Sequence, residues 1–74
     1  MYERIRALRE DKDMSQKDIA KLLHISQRAY SHYESGDRAI PAEILCKIAE
    51  IHNTSTDYLL NRTNTKTPYS KKKK

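Results

Sequence analysis

The sequence predicts an all-α fold, a compact bundle of five short helices. Three observations carry that expectation. Glycine and proline are scarce, at one and two residues of 74, while Leu, Ile, Ala, Lys and Glu are abundant. Apolar residues recur at helical rather than alternating spacing. Residues able to cap helices stand just ahead of those periodic runs: Ser15, Ser26 and Ser55.

The first helix is expected over Tyr2 to Asp11 or Lys12, with Ile5 and Leu8 inward and Arg9 bordering the same apolar stripe. Ser15 followed by Asp18 three residues on forms a capping box, opening a second helix from Gln16 to Leu23 with Ile19, Ala20 and Leu23 on one face. The pattern breaks at His24-Ile25 and Ser26 caps a third helix, Gln27 to Glu34 or Ser35. Tyr30 and Tyr33 face inward there, and Gln27, Arg28, Ser31 and His32 outward. Gly36 supplies the positive φ of the following turn. Pro41 is expected as the first residue of the fourth helix, where a missing amide proton is harmless. Ile44, Leu45, Ile48 and Ala49 form its buried face, closed by Ile51. Ser55 caps a short fifth helix bearing Tyr58, Leu59 and Leu60. The apolar period then lapses, so residues 1–61 are expected as one folded domain and 62–74 as a basic, disordered tail.

Composition narrows the function. The formal net charge is +5, but residues 61–74 hold six basic side chains and no acid. The first sixty residues therefore carry nine basic against ten acidic groups. Nucleic-acid binding by the folded part has to rest on where its charges lie, not on their sum. The lone cysteine, Cys46, fits a reducing, cytoplasmic setting. No apolar run reaches the ~18 residues of a membrane span, and no signal-peptide core is expected at the N-terminus. His24, His32 and His52 fall on separate elements, without metal-ligand spacing. No phosphate loop or nucleophile–base pair is evident either, so an enzyme, a metal and a cofactor are not expected.

Two helices joined by a sharp corner, the second exposing amide, guanidinium and imidazole groups, describe a DNA-reading helix-turn-helix. The chain resembles the phage-repressor (Cro-type, XRE-like) helix-turn-helix regulators in five ordered blocks: IRALRED, MSQKDIAKLLHIS, YSHYESGDR, PAEILCKIAEI and STDYLL. These cover nearly all of the first sixty residues. Where the family often has Gly in the turn, this chain has His24, a residue that tolerates positive φ better than most. The terminal Lys71–Lys74 run is also outside the family pattern.

The resemblance implies a role for each exposed group. Gln27 and Arg28, which from the residues alone are either solvated polar groups or base readers, become base readers, with Ser31 and His32 ranked behind them. Gln16 is where the family places a phosphate contact, and Lys17, Ser26 and Arg38 complete that set, although Lys17 reads equally as a solvated charge and Ser26 is first of all a cap. Arg9 and Glu34 occupy positions that in the family form an internal ion pair. Tyr30 and Tyr33 read as core rather than as a stacking stripe.

The expected function is sequence-specific double-stranded DNA binding by a transcriptional repressor of bacterial or phage origin, acting as a homodimer on a palindromic operator. The dimer surface is assigned to Ile51, Tyr58, Leu59 and Leu60, and no small-molecule ligand is expected. The alternative is an antitoxin-type adaptor that binds a protein partner such as a toxin and uses DNA binding for autoregulation.

Overall fold

In the computed structural model, residues 2–66 are described. Five helices follow one another: α1 Glu3–Asp11, α2 Gln16–Leu23, α3 Gln27–Ser35, α4 Ala42–Ile51 and α5 Thr56–Leu59. Among the described residues there is no strand. α2 packs on α3 and α4, while α1 lies against α3 and α5, and α4 against α5.

The core draws on all five helices: Ile5, Leu8, Ile19, Ala20, Leu23, Tyr30, Ile48, Ala49 and Leu59 are buried together. α1, α2 and α4 each bury two or three apolar side chains and α3 and α5 one each, so the core needs all five helices. Ile44, Leu45 and Ile51 are only partly buried, packed around the edge of that core. Tyr33 is half-buried as well, so of the two inward tyrosines Tyr30 alone is fully enclosed.

Local signals set the helix ends. Ser15 Oγ accepts from the Asp18 N–H at 3.0 Å, and the Ser15 N–H donates to Asp18 Oδ2 at 2.9 Å, completing the capping box. That backbone hydrogen bond, seconded by the Ser15 hydroxyl, holds the Asp18 carboxyl below its usual value. α1 starts one residue later than expected. Tyr2 precedes it without a side-chain cap, and its N–H instead donates to the Glu34 carbonyl at 3.2 Å, which ties the chain start to the end of α3.

Pro41 is not the first helical residue. Its ψ of 147° is extended, so it occupies the N-cap, and its carbonyl accepts from the Leu45 N–H at 2.9 Å. A proline serves there because the cap position needs only a carbonyl pointing into the helix.

The turn between α2 and α3 is built on His24 in the left-handed region, at φ 59° and ψ 39°. The Ile25 N–H reaches back to the Ala20 carbonyl at 3.0 Å, closing α2 before Ser26 starts α3. Asp13, Asn53 and Asn61 take the same left-handed conformation after α1, α4 and α5, each with a short polar side chain that tolerates it.

The segment after α5 is stitched to the start of the chain. The Arg4 guanidinium lies 4.2 Å from the centroid of the Tyr58 ring. Its Nη1 donates to the carbonyls of Tyr58 at 3.1 Å and Thr63 at 2.6 Å, and its Nη2 to Asn64 Oδ1 at 2.9 Å. The Thr54 hydroxyl donates to the Lys66 carbonyl. The bonds to Thr63, Asn64 and Lys66 lie beyond the domain boundary expected at residue 61, and nothing in the sequence pattern of 62–66 announces them. The Lys71–Lys74 run lies outside the described residues.

Candidate nucleic-acid interface

α3 has two chemically opposite faces. Its inner face carries Tyr30 and Glu34, four residues apart and therefore stacked one turn above the other. Glu34 is 4% exposed, a carboxylate inside the fold. Such a charge is tolerable only if its oxygens are satisfied. Arg9 supplies a two-pronged contact, Nε to Oε1 at 2.9 Å and Nη2 to Oε2 at 3.1 Å. The Tyr30 hydroxyl donates to Oε1 at 2.7 Å and Gln16 Nε2 to Oε2 at 3.2 Å. Arg9 Nη1 continues to the Met14 carbonyl at 2.8 Å, so the same guanidinium also fixes the link between α1 and α2.

Burial works against the Glu34 carboxylate, but the bonds from Arg9, Tyr30 and Gln16 outweigh it and hold its carboxyl below the usual value. The Arg9 pKa moves the other way, raised chiefly by the hydrogen bond to Glu34. Burial, then the bond to Glu34, push the Tyr30 phenol up. These shifts favour an ionised Glu34 and a neutral Tyr30, and the bonds tie α1, the start of α2 and α3 together.

The outer face is open. Gln16, Gln27, Arg28, Ser31 and His32 line a concavity of about 560 Å³ between the start of α2 and the exposed side of α3. The four residues expected as base readers come together there, joined by Gln16. Ser26 sits at the helix start with its hydroxyl accepting from the Ala29 N–H at 3.0 Å. Lys17 and Arg38 are exposed but do not line the concavity. The Arg38 N–H bonds to the His32 carbonyl at 3.2 Å, which anchors the loop after α3 to the helix.

Two features of this face have no counterpart in the sequence reading. Gln16, expected at a phosphate, spends one amide hydrogen on Glu34, so it bridges the inner network and the outer face. His32 Nδ1 lies 3.3 Å from Asp37 Oδ2. Asp37 stands five residues on in a loop, and no helical spacing connects the two in advance.

The surface assigned to self-association divides. Leu59 is 2% exposed and belongs to the core, because the short α5 points it at α4 and α1. It is therefore withdrawn from any monomer surface. Leu60 is 39% exposed, while Ile51 and Tyr58 are partly covered, Tyr58 by Arg4.

No group of three or more His, Cys, Asp or Glu residues among those described could hold a metal ion. No helix among them is long and apolar enough to cross a membrane.

Comparison with known proteins agrees with this geometry. The helix-turn-helix family model matches residues 5–59. The HTH-type transcriptional regulator AnsR of Bacillus subtilis (strain 168) is 38% identical over 60 residues, covering 81% of this chain and 52% of that protein. ImmR, an HTH-type transcriptional regulator of the same organism, is 34% identical over 59 residues, covering 80% and 46%. The SPbeta prophage-derived uncharacterized HTH-type transcriptional regulator YonR, also from that strain, is 36% identical over 62 residues, covering 84% and 57%. The chain spans about half the length of these curated relatives. No solved structure matches it. With a family model covering most of its length and all five helices in order, the chain belongs to the helix-turn-helix family of phage-repressor (Cro-type, XRE-like) regulators.

Proposed function

We propose that this protein is a sequence-specific double-stranded DNA-binding transcriptional regulator, a repressor that binds a palindromic operator as a homodimer with α3 in the major groove. The observation that carries the reading is the convergence of Gln27, Arg28, Ser31 and His32 with Gln16 on one open face. Amide, guanidinium, hydroxyl and imidazole groups are those that pair with base edges: Gln with adenine, Arg with the O6 and N7 of guanine. Gln16, at the first turn of α2, meets the phosphate backbone together with the amides of that helix start. Lys17, Ser26 and Arg38 flank the groove and contact phosphates on either side.

One recognition helix reads too little sequence for useful genomic specificity, so two copies act on half-sites about one helical turn apart. Leu60, Ile51 and Tyr58 form the symmetric contact between them. A dimer seated on a promoter excludes other proteins from the same groove, which amounts to repression by occlusion.

Selection of bound duplexes from a random library tests the reading. The expected product is an inverted repeat with half-sites about one turn apart, and recovery of no consensus sinks the proposal. Leu60→Asp should abolish cooperative binding to the full palindrome while sparing half-site affinity. Footprints confined to one isolated half-site, together with a monomer in ultracentrifugation, would discard the dimer.

A further inference from the structure

We propose that Asp37 is a positioning residue that sets the hydrogen-bonding sense of His32, so that its Nε2 reads an amino-bearing base, adenine or cytosine, in the major groove. This inference rests on the DNA-binding reading above. It begins with the 3.3 Å contact between His32 Nδ1 and Asp37 Oδ2. A carboxylate can only accept, so the hydrogen in that contact is carried by Nδ1. In a neutral imidazole the other nitrogen, Nε2, is then left with its lone pair free to accept. Among base edges in the major groove, the exocyclic amino groups of adenine and cytosine donate, while the O6 of guanine and the O4 of thymine accept. An accepting Nε2 favours the first pair and is repelled by the second.

The loop holds Asp37 for this task. Gly36 turns the chain at φ 90°. The Asp37 N–H donates to Ser35 Oγ at 3.4 Å, and that hydroxyl donates to the His32 carbonyl at 3.2 Å. The Arg38 N–H bonds to the same carbonyl at 3.2 Å. The backbone of His32 and that of Asp37 are therefore tied by one cluster of bonds, which places the exposed carboxylate within reach of the ring.

Arg28, one turn earlier on α3, lines the same concavity. It offers donors only. With His32 set as an acceptor, the face reads complementary edges at two heights in the groove. An imidazole with Nε2 protonated would instead duplicate the donor character of the arginine.

Two measurements decide the matter, both at about pH 8, above the ordinary imidazole value. Long-range nitrogen–proton NMR of the free protein reports the tautomer without DNA. We expect Nδ1–H for His32 in the wild type and its loss in Asp37→Ala. Nε2–H in the wild type overturns the inference even if DNA binding holds. Duplex selection is then run on the wild type, Asp37→Ala, His32→Ala and the double variant. The wild type should prefer adenine or cytosine at one half-site position roughly three- to tenfold, the worth of a single hydrogen bond. Asp37→Ala should flatten that position, with no further effect on it in the His32→Ala background. If Asp37→Ala strengthens binding to all duplexes equally and keeps the preference, Asp37 acts only as a charge and the proposal fails. An empty selection by the wild type overturns DNA reading itself, and the reader role of His32 with it.

Discussion

The two faces of α3, a helix of nine residues, differ in what their polar groups touch. On the inner face the Glu34 carboxylate receives bonds from Arg9, Tyr30 and Gln16. On the outer face, Gln27 and Arg28 stand exposed beside a concavity. Both faces are polar, so polarity alone does not separate structure from function. Satisfaction does: a buried charge survives only when its lone pairs are filled, whereas a group meant for a ligand keeps hydrogen-bonding capacity in reserve. Gln16 belongs to both sides, donating inward to Glu34 and lining the outer concavity.

The largest test of this division is to strand the inner charge. Arg9→Ala or Glu34→Ala should cost about 3–5 kcal/mol, because each leaves an uncompensated group inside the fold. The double change should lose less than the sum. Denaturant melts measure both, and strict additivity would mean that the network is not one unit.

His52 offers the contrary case. It is buried like Glu34, yet neither ring nitrogen has a hydrogen-bond partner among the described residues. Burial, then the charges of Lys12 and Lys66, push its imidazole down to about 4. The ring is therefore neutral in the fold, while an unfolded chain takes up a proton near the ordinary ~6.5. The stability it contributes is complete above about pH 6.5 and lost as pH falls toward 4, to the extent of about 3 kcal/mol. Glu34, whose carboxyl is held low, behaves as an acid: its contribution stays until pH drops below the ordinary carboxylate value and is lost through the folded one. Urea melts across this range should show the His52 slope first. His52→Leu should remove that slope at little cost near neutral pH, since no hydrogen bond is given up. A slope unchanged in His52→Leu would place the acid sensitivity elsewhere.

On the outer face the effects move from stability to binding. Arg28→Ala should change stability by no more than about 0.5 kcal/mol, as for other exposed positions. It should cost about 1–3 kcal/mol on the best operator and flatten one or two base preferences. Equal loss on specific and random duplexes would reassign Arg28 to the phosphate backbone.

The smallest and most diagnostic change is Gln16→Ala. As the bridging residue it should show both signatures weakly, about 1 kcal/mol of stability from the lost bond to Glu34 and a uniform decrease of affinity for all sequences. A purely sequence-specific loss would move it among the base readers.

Much of this was legible in the residues themselves. The helices follow from apolar spacing and from Ser15, Ser26 and Ser55, whose caps are local chemistry between neighbours three residues apart. The break at His24-Ile25 is visible in the residues, while the positive φ of His24 is expected from the family's turn glycine. The exposed character of Gln27 and Arg28 follows from the helical period of α3, since Tyr30 fixes which side of that helix faces inward. Arg9 with Glu34 came from the family resemblance, not from spacing.

What only the tertiary structure decided are the relations between residues far apart in the chain or joined through a loop. That the carboxylate meeting Arg9 also takes bonds from Gln16 and Tyr30 depends on the angle at which α1, α2 and α3 converge. That Asp37 meets His32 depends on the path taken after Gly36. Arg4 reaches Thr63 and Asn64 across nearly the whole sequence, and Leu59 is core while Leu60 is surface because a four-residue helix admits only one inward side chain at its end. Periodicity records which face of a helix is apolar. The partner a polar group finds is set by packing, which brings together residues that no local pattern relates.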